Sequence, residues 1–342
     1  MYLILQMKKN LKILLMKENL TVLNWLFMIS LSILLFSCQK TKYPWQPGIS
    51  APKYYPVAGN ISFSNAGHGS NTSFDNGWGS EYGAVVSGDK YKEIPKDVYI
   101  DYYSVVDGKD FKGDVHLNQQ EILKLFRKYK INDDNFAHLV VGMAPGGWIR
   151  VWFKTIDEQV EVAKAQLKGY KNNDVGIGLK TKDFETWGNT FIYWQYHGIP
   201  YEAWAENEKE YDLYFDFSNS NHQEIGFSYV SSDGTYYQTG KENVHQKLPV
   251  QFEQIAWLSK SGNSYNCKLP MPKNFKKYIE QKKLKGVRLK LEIENDGEHA
   301  TIYLIANDTK EKIVRFKNKQ PTKEEINDLN FAYATEINYF IL

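Results

Sequence analysis

The chain has 342 residues, of which 42% are hydrophobic, 24% charged and 15% aromatic. That is the composition of a globular protein, not of a disordered or collagen-like one, and its single long apolar run excludes a multi-span membrane protein. Four of the 42 basic residues and one of the 40 acidic ones precede residue 38, so the chain from there on carries a net charge of −1 and no basic excess to meet nucleic-acid phosphates.

Val22 to Phe36 is a run of 15 residues broken only by Asn24, Ser30 and Ser32. It is short of the ~20 residues that a transmembrane helix needs and has the length of a signal-peptide core. Lys8, Lys9, Lys12 and Lys17 supply the basic flank. The run ends in Leu35-Phe36-Ser37-Cys38, which resembles a bacterial lipobox and makes residues 1–37 a leader and Cys38 the lipid-bearing residue. Counting back from Cys38 to an ordinary leader length places the natural start at Met16 or Met7. No Asp follows Cys38, which resembles lipoproteins sorted to the outer membrane and facing the periplasm. With Cys38 lipidated only Cys267 is left, so no intramolecular disulfide is expected. Residues 38–56 hold Pro44, Pro47, Pro52 and Pro56 without helical periodicity and read as an extended tether.

From residue 57 the pattern predicts an α+β protein, predominantly antiparallel β. Short β-branched and aromatic runs at Ile61–Ser64, Tyr82–Ser87, Val98–Val105 and Phe111–His116 lie between Gly, Asn and Asp turns. Asn118-Gln119-Gln120-Glu121 opens a helix whose apolar face is Ile122, Leu125, Phe126 and Tyr129. A hairpin follows, His138–Met143 and Trp148–Lys154 around Ala144-Pro145-Gly146-Gly147. The segment from Asp157 to Lys168 fits a helix or a strand pair, and Lys171 to Asn189 reads as a connecting loop. The order then returns: strands at Leu213–Phe217, Glu224–Val230, Thr235–Thr239, Phe252–Leu258 and Ser264–Leu269, a helix near 272–283, and a hairpin around Asn295-Asp296-Gly297. A helix near 322–329 and a strand within Phe331–Ile341 close the chain.

Two similar strand–helix–hairpin lobes, 57–170 and 171–342, are therefore expected, with an internal duplication as their origin. A shift of 154 positions lays Phe63-Ser64-Asn65 on Phe217-Ser218-Asn219, His68 on His222, Tyr82 on Tyr236, Pro95 on Pro249 and Gly108 on Gly262.

One stretch is more distinctive. Pro95-x-x-Val98, Tyr102-Tyr103-Ser104, Phe111 and Gly113 lead into Ile122-Leu123-x-Leu125-Phe126. Val140-Val141-Gly142-Met143-Ala144-Pro145-Gly146-Gly147-x-Ile149-x-Val151-Trp152 follows, then Glu161-Val162, Gln166 and Gly198-Ile199-Pro200-Tyr201-x-x-Trp204. This resembles the DUF2931 family of Gram-negative bacterial lipoproteins, over roughly Tyr55 to Val314. The family has no established activity. Some members are encoded beside secreted phospholipase toxins, which implies an immunity role, and no catalytic residue can be carried over.

Motifs of chemistry are sparse. There is no Gly-x-Ser-x-Gly elbow, and Ser87-Gly88-Asp89-Lys90 lacks its companion motifs. The seven His residues show no metal-ligand spacing, and Asp107, Asp110 and Asp114 lack calcium-loop spacing, so neither metal nor cofactor is expected. Aromatics remain. Trp148, Arg150 and Trp152 alternate on one strand and share a face, Trp78 sits in a Gly-rich loop, and Trp204 lies near His197. Two readings stand for these residues: rings that fill the core, or anchors of a protein interface or sugar site. Of the six, Trp78 is the one core packing explains least. The sequence reading is a lipid-anchored envelope protein, recognising a partner such as a membrane-attacking toxin. The alternative is an envelope enzyme or glycan-binding protein acting on polysaccharide or lipid.

Overall fold

The computed structural model describes residues 42–64, 66–81, 84–171, 176–217, 225–239, 243–259, 261–306, 309–328 and 331–341. The leader, Cys38, Asn65, Tyr82, Ser218, Asn219 and His222 lie outside the described residues. Pro44–Leu342 form one compact unit; of the preceding one, Met1–Tyr43, only Lys42 and Tyr43 are described.

Alternation of apolar and polar residues builds the first half. Its strands are β1 (Lys42–Ser50), β2 (Val57–Phe63), β3 (Gly67–Phe74), β4 (Ala84–Val86), β5 (Tyr91–Glu93), β6 (Asp97–Ser104) and β7 (Lys109–His116). Helix α1 (Gln119–Lys128) follows, then β8 (Ala137–Met143), β9 (Trp148–Lys154), β10 (Gln159–Gln166) and β11 (Gly169–Tyr170). They form a five-stranded sheet in the order β10-β9-β8-β1-β5 and a six-stranded one in the order β11-β7-β6-β2-β3-β4. Trp45 of the first meets Phe63 of the second edge to face, 5.3 Å between centroids, so the sheets pack as a sandwich. Asn118 caps α1, its side chain accepting from the backbone N–H of Gln120 and Glu121. The helix buries Ile122 and Phe126, with Phe126 against Phe153 of β9.

The second half contains β12 (Glu210–Asp216), β13 (Gly226–Val230), β14 (Tyr236–Thr239), β15 (Asn243–Lys247), β16 (Gln251–Leu258) and β17 (Ser264–Pro270). Further on come β18 (Gly286–Ile293), β19 (His299–Ala306), β20 (Thr309–Lys317) and β21 (Thr335–Tyr339). Its sheets run β15-β12-β18-β19-β20-β21 and β14-β13-β16-β17. Phe215 of the first packs on Phe227 of the second at 4.8 Å. Phe275 and Ile279 enter the same core from the helix Phe275–Lys282.

The pairing order recurs. In each half a parallel central pair, β1 with β8 and β12 with β18, is continued by two antiparallel strands, and the helix follows the second sheet's last long strand. β2, β3, β6 and β7 correspond to β13, β14, β16 and β17. This shared order supports duplication as a proposal, but not one uniform shift. Gly108 and Gly262 both occupy the turn before the last of these strands, with φ of 62° and 83°. Phe63, in contrast, ends β2, whose counterpart is β13, not the region of Phe217.

Several expectations need correction. From Lys42 on, the segment expected as a tether is part of the fold: β1 occupies Lys42–Ser50, paired parallel with β8 from Trp45↔Ala137 to Ser50↔Gly142. Trp45 and Ile49 are fully buried. Prolines usually argue against an inner strand, but Pro44 precedes the first rung, and the neighbour on the other side, β5, is only three residues long. The first lobe therefore begins before residue 57. The region of Lys171–Asn189 is not a plain loop either. It contains α2 (Ile177–Lys180) and α3 (Phe184–Trp187) and continues into α4 (Asn189–His197) and α5 (Tyr201–Ala205). The undecided segment is β10, with a bulge between Glu161 and Ala163. The helix expected near 272–283 is α6 (Phe275–Lys282), and the one near 322–329 is α7 (Lys323–Asp328). Thr322 and Glu325 of α7 bond each other's backbone N–H, a reciprocal capping box.

Candidate functional site: the cleft where the two sandwiches meet

Strand β9 has two buried faces. Ile149, Val151 and Phe153 enter the first core, while Arg150 and Trp152 face the second half. Trp152 is met by Trp78, edge to face at 5.0 Å. Gly142 leaves room for this pair: a Cβ there would stand 2.5 Å from the Trp152 ring and 2.8 Å from that of Trp78. Trp78 is thus buried, 6% exposed, and core packing accounts for it. Its loop is tied across the halves, since both Trp78 and Lys53 donate their backbone N–H to the carbonyl of Gly234.

Arg150 is 2% exposed. Burying a guanidinium is costly unless it is paired and hydrogen-bonded. Its Nε lies 3.1 Å from Glu161 Oε2, and its Nη2 donates to the Trp204 carbonyl at 2.7 Å. The second contact sets a cation at the C-terminal turn of α5, where the helix dipole favours it. Trp204 is fully buried, lies edge to face on Tyr55 at 5.0 Å, and donates its indole N–H to the Asp233 carbonyl at 2.9 Å.

Asp233 brings in the second half. Its carboxylate accepts from Ser231 Oγ at 2.7 Å and from the Thr235 N–H at 3.0 Å, and it lies 2.5 Å from Lys247 Nζ. Beside it, Glu208 accepts from the Asp233 N–H at 3.0 Å and faces Lys276 at 3.3 Å. Burial first, and the neighbouring Asp233 charge second, hold the Glu208 carboxyl above its usual range. Across the cleft, Lys154 donates to the Gly79 carbonyl at 3.1 Å, and burial lowers its ammonium pKa.

These groups line a cleft of about 800 Å³ between β9–β10 on one side and the 206–210, 233–237 and β15 segments on the other. Its aromatic wall is Trp78, Trp152, Tyr236 and Tyr237. Charges alternate around it, Arg150, Lys154 and Lys247 among Glu161, Glu208 and Asp233. The ion pairs and hydrogen bonds are internal, so the charges and rings of the cleft wall are held in fixed positions.

Of the residues singled out from sequence, Trp78, Arg150 and Trp152 line this cleft and Trp204 underlies it. Trp148 does not line it; its ring lies under Lys164 at 5.7 Å. His197 belongs to another cluster. It packs on Tyr193 at 4.2 Å, and burial pushes its pKa down to about 4. Its Nε2 lies 3.4 Å from Gln251 Oε1, and Gln251 in turn donates to Glu253 at 2.8 Å. Tyr54 donates its hydroxyl to Glu253, which pairs with Lys268 at 3.2 Å. Nothing local marked Glu253, Lys268 or Asp233 as charged members of a buried network, because Tyr54 joins the first two from the other half and Lys247 reaches Asp233 from the next strand but one.

The distinctive stretch also converges. Asp107, in the turn between β6 and β7, accepts from the Gly146 N–H at 2.7 Å and from the Tyr201 hydroxyl at 2.6 Å. Tyr102 donates to the Ala144 carbonyl at 2.6 Å, and Gln166 to that of Gly146 at 3.1 Å. The Ala-Pro-Gly-Gly turn is thus the seat on which α5 is clamped. Separately, Glu294, Asp296 and His299 place ligand-type atoms within 4.8 Å of one another. Arg315 holds Glu294 through two nitrogens, and His299 is shared by Asp296 and Glu336, so these groups are already paired.

Residues 37–202 match the family model DUF2931, described as a protein of unknown function. The match runs from before β1 into α5 and stops short of the second sandwich, so it is narrower than the stretch to Val314 expected from the residues. No curated protein and no solved structure matches the chain.

Proposed function

We propose that this chain, whose residues 37–202 match the DUF2931 family model, is a lipid-anchored envelope protein that recognises a partner through the cleft between its sandwiches. The observation that carries the reading is the cleft itself: both halves build it, and hydrogen bonds across the halves hold its charges and rings in place. Such preorganisation favours recognition, because little ordering remains to be done on binding. In its sharper form the partner is a toxin that attacks membranes, and lipid on Cys38 would hold the antidote where the toxin acts.

The test is capture from envelope extract with residues 39–342 as bait, beside the same chain carrying Tyr236→Ala. The expected result is one stoichiometric protein held by the first bait and lost by the second, with both folded. Equal capture by both baits would remove the cleft from the reading.

One observation favours the alternative of an envelope enzyme acting on glycan or lipid. Glu208, whose carboxyl pKa burial raises, stands 3.0 Å from the backbone N–H of Asp233 in an aromatic-lined cleft, a setting suited to a general acid. Turnover of an envelope glycan or lipid by the purified chain, abolished by Glu208→Gln, would establish that reading instead.

A further inference from the structure

The lipid-anchor reading has a geometric consequence. Cys38 is six residues before Pro44, the first residue of the compact unit. Six residues span at most about 22 Å even when fully extended. The point where the chain enters the fold is therefore held close to any bilayer that takes up the lipid.

That point has defined neighbours. The register Trp45↔Ala137 sets Pro44 beside Phe136. The rung His138↔Lys154 sets Phe136 and Ile156 two residues beyond it on adjoining strands. Phe136 is 43% exposed and Ile156, at the tip of the β9–β10 turn, is 88% exposed. Tyr91, also exposed, is held to this end by its hydroxyl bond to Asp133 at 2.6 Å. Single exposed apolar residues are ordinary on protein surfaces. Here they share the one end of the sheet at which the chain leaves toward Cys38.

We propose that this end, with Phe136 and Ile156 foremost, rests on the bilayer surface and inserts those two side chains into the boundary between headgroups and acyl chains. The proposal rests on the lipid-anchor reading above. Charge at this end is balanced, with Lys90 paired to Asp133 at 3.0 Å and Lys128 in the field of Glu158. The contact is therefore apolar and insensitive to salt and to anionic lipid, unlike a polybasic contact. It also orients the cleft. Lys154 and Gln159, paired in the last rung before the tip, line it, so a ligand would be met near the membrane surface.

The test uses the full lipidated chain in vesicles of phosphatidylethanolamine and phosphatidylglycerol. Spin labels are placed through Ile156→Cys, Phe136→Cys and, at the opposite end of the sheet, Lys168→Cys. Cys267 is fully buried and takes no label. The readout is the ratio of collisions with oxygen to collisions with a water-soluble nickel complex, and mass measurement on the same sample reports lipid on Cys38. The expected result is a ratio several-fold higher at 136 and 156 than at 168, unchanged in vesicles of phosphatidylethanolamine and phosphatidylcholine and in high salt. With Cys38 lipidated, equal ratios at all three positions would overturn the orientation and leave the anchor standing; so would an excess at 136 and 156 that vanished without anionic lipid. A Cys38 without lipid would overturn both.

Discussion

The two sandwiches repeat one pairing order and differ in what surrounds it. In the first, the central β1 is covered on its outer side by the three-residue β5, and the hairpin after β8 is a seat for α5. In the second, the corresponding hairpin ends in Asp296 and Gly297 at the surface, and the sheet gains an extra strand, β21. The difference teaches where the candidate site comes from. Neither repeated unit carries the cleft; it arises where the first hairpin's neighbourhood, the helical connection and the 233–237 turn lock together.

If that junction binds the halves into one folding unit, its loss will be the largest effect. Trp204→Ala removes a fully buried ring packed on Tyr55 and bonded to Asp233, and is expected to cost about 3–5 kcal/mol. Urea unfolding of the unaltered chain should show one transition, shifted to lower urea in the variant. Two separate transitions in the unaltered chain would mean that the halves stand independently.

Acidity should separate the helical connection from the second sandwich by sign. His197, kept neutral by burial, has a folded pKa of about 4, below the unfolded value of about 6.5. Its stabilisation is whole above pH ~6.5 and is lost as pH falls toward 4, up to about 3 kcal/mol. His299, bonded to Glu336 and Asp296, has its pKa raised. Its contribution is whole below pH ~6.5 and is lost as pH rises through the raised value. Unfolding curves of His197→Gln and His299→Gln across that range should flatten the two opposite slopes; slopes of the same sign would contradict the assignment.

The hairpins sharpen the comparison. Gly147 has φ of 81° and a Cβ there would meet the Leu167 carbonyl at 2.2 Å, whereas at Gly297, φ 76°, the nearest atom is 3.4 Å away. Gly147→Ala should therefore cost about 2–3 kcal/mol, strain plus clash, and Gly297→Ala about 1 kcal/mol from strain alone. Equal thermal shifts would show that the first turn is no more constrained than the second. Smallest is Thr322→Ala, which removes one half of the exposed capping box of α7 and should cost about 0.5 kcal/mol, read as a shift in the thermal midpoint.

Much of the scaffold was legible in the residues because its causes are local. Alternation marked β6, β7, β12 and β16, the Asn118 and Thr322 caps marked two helix starts, and Gly after Pro or Asp marked both hairpins. Three of the candidate residues, Trp78, Arg150 and Trp152, do meet, because alternation set two on one face and a glycine-rich loop delivered the third. What the tertiary structure decided is everything whose partner lies far along the chain. A proline-rich segment became β1 because β8, some ninety residues on, offers it a parallel edge. Arg150 could be buried because Glu161 and the end of α5 satisfy it, and Asp233 because Lys247 does. Caps and alternation act within a few residues, whereas burying a charge or an inner strand requires partners that only the folded chain brings within hydrogen-bond distance.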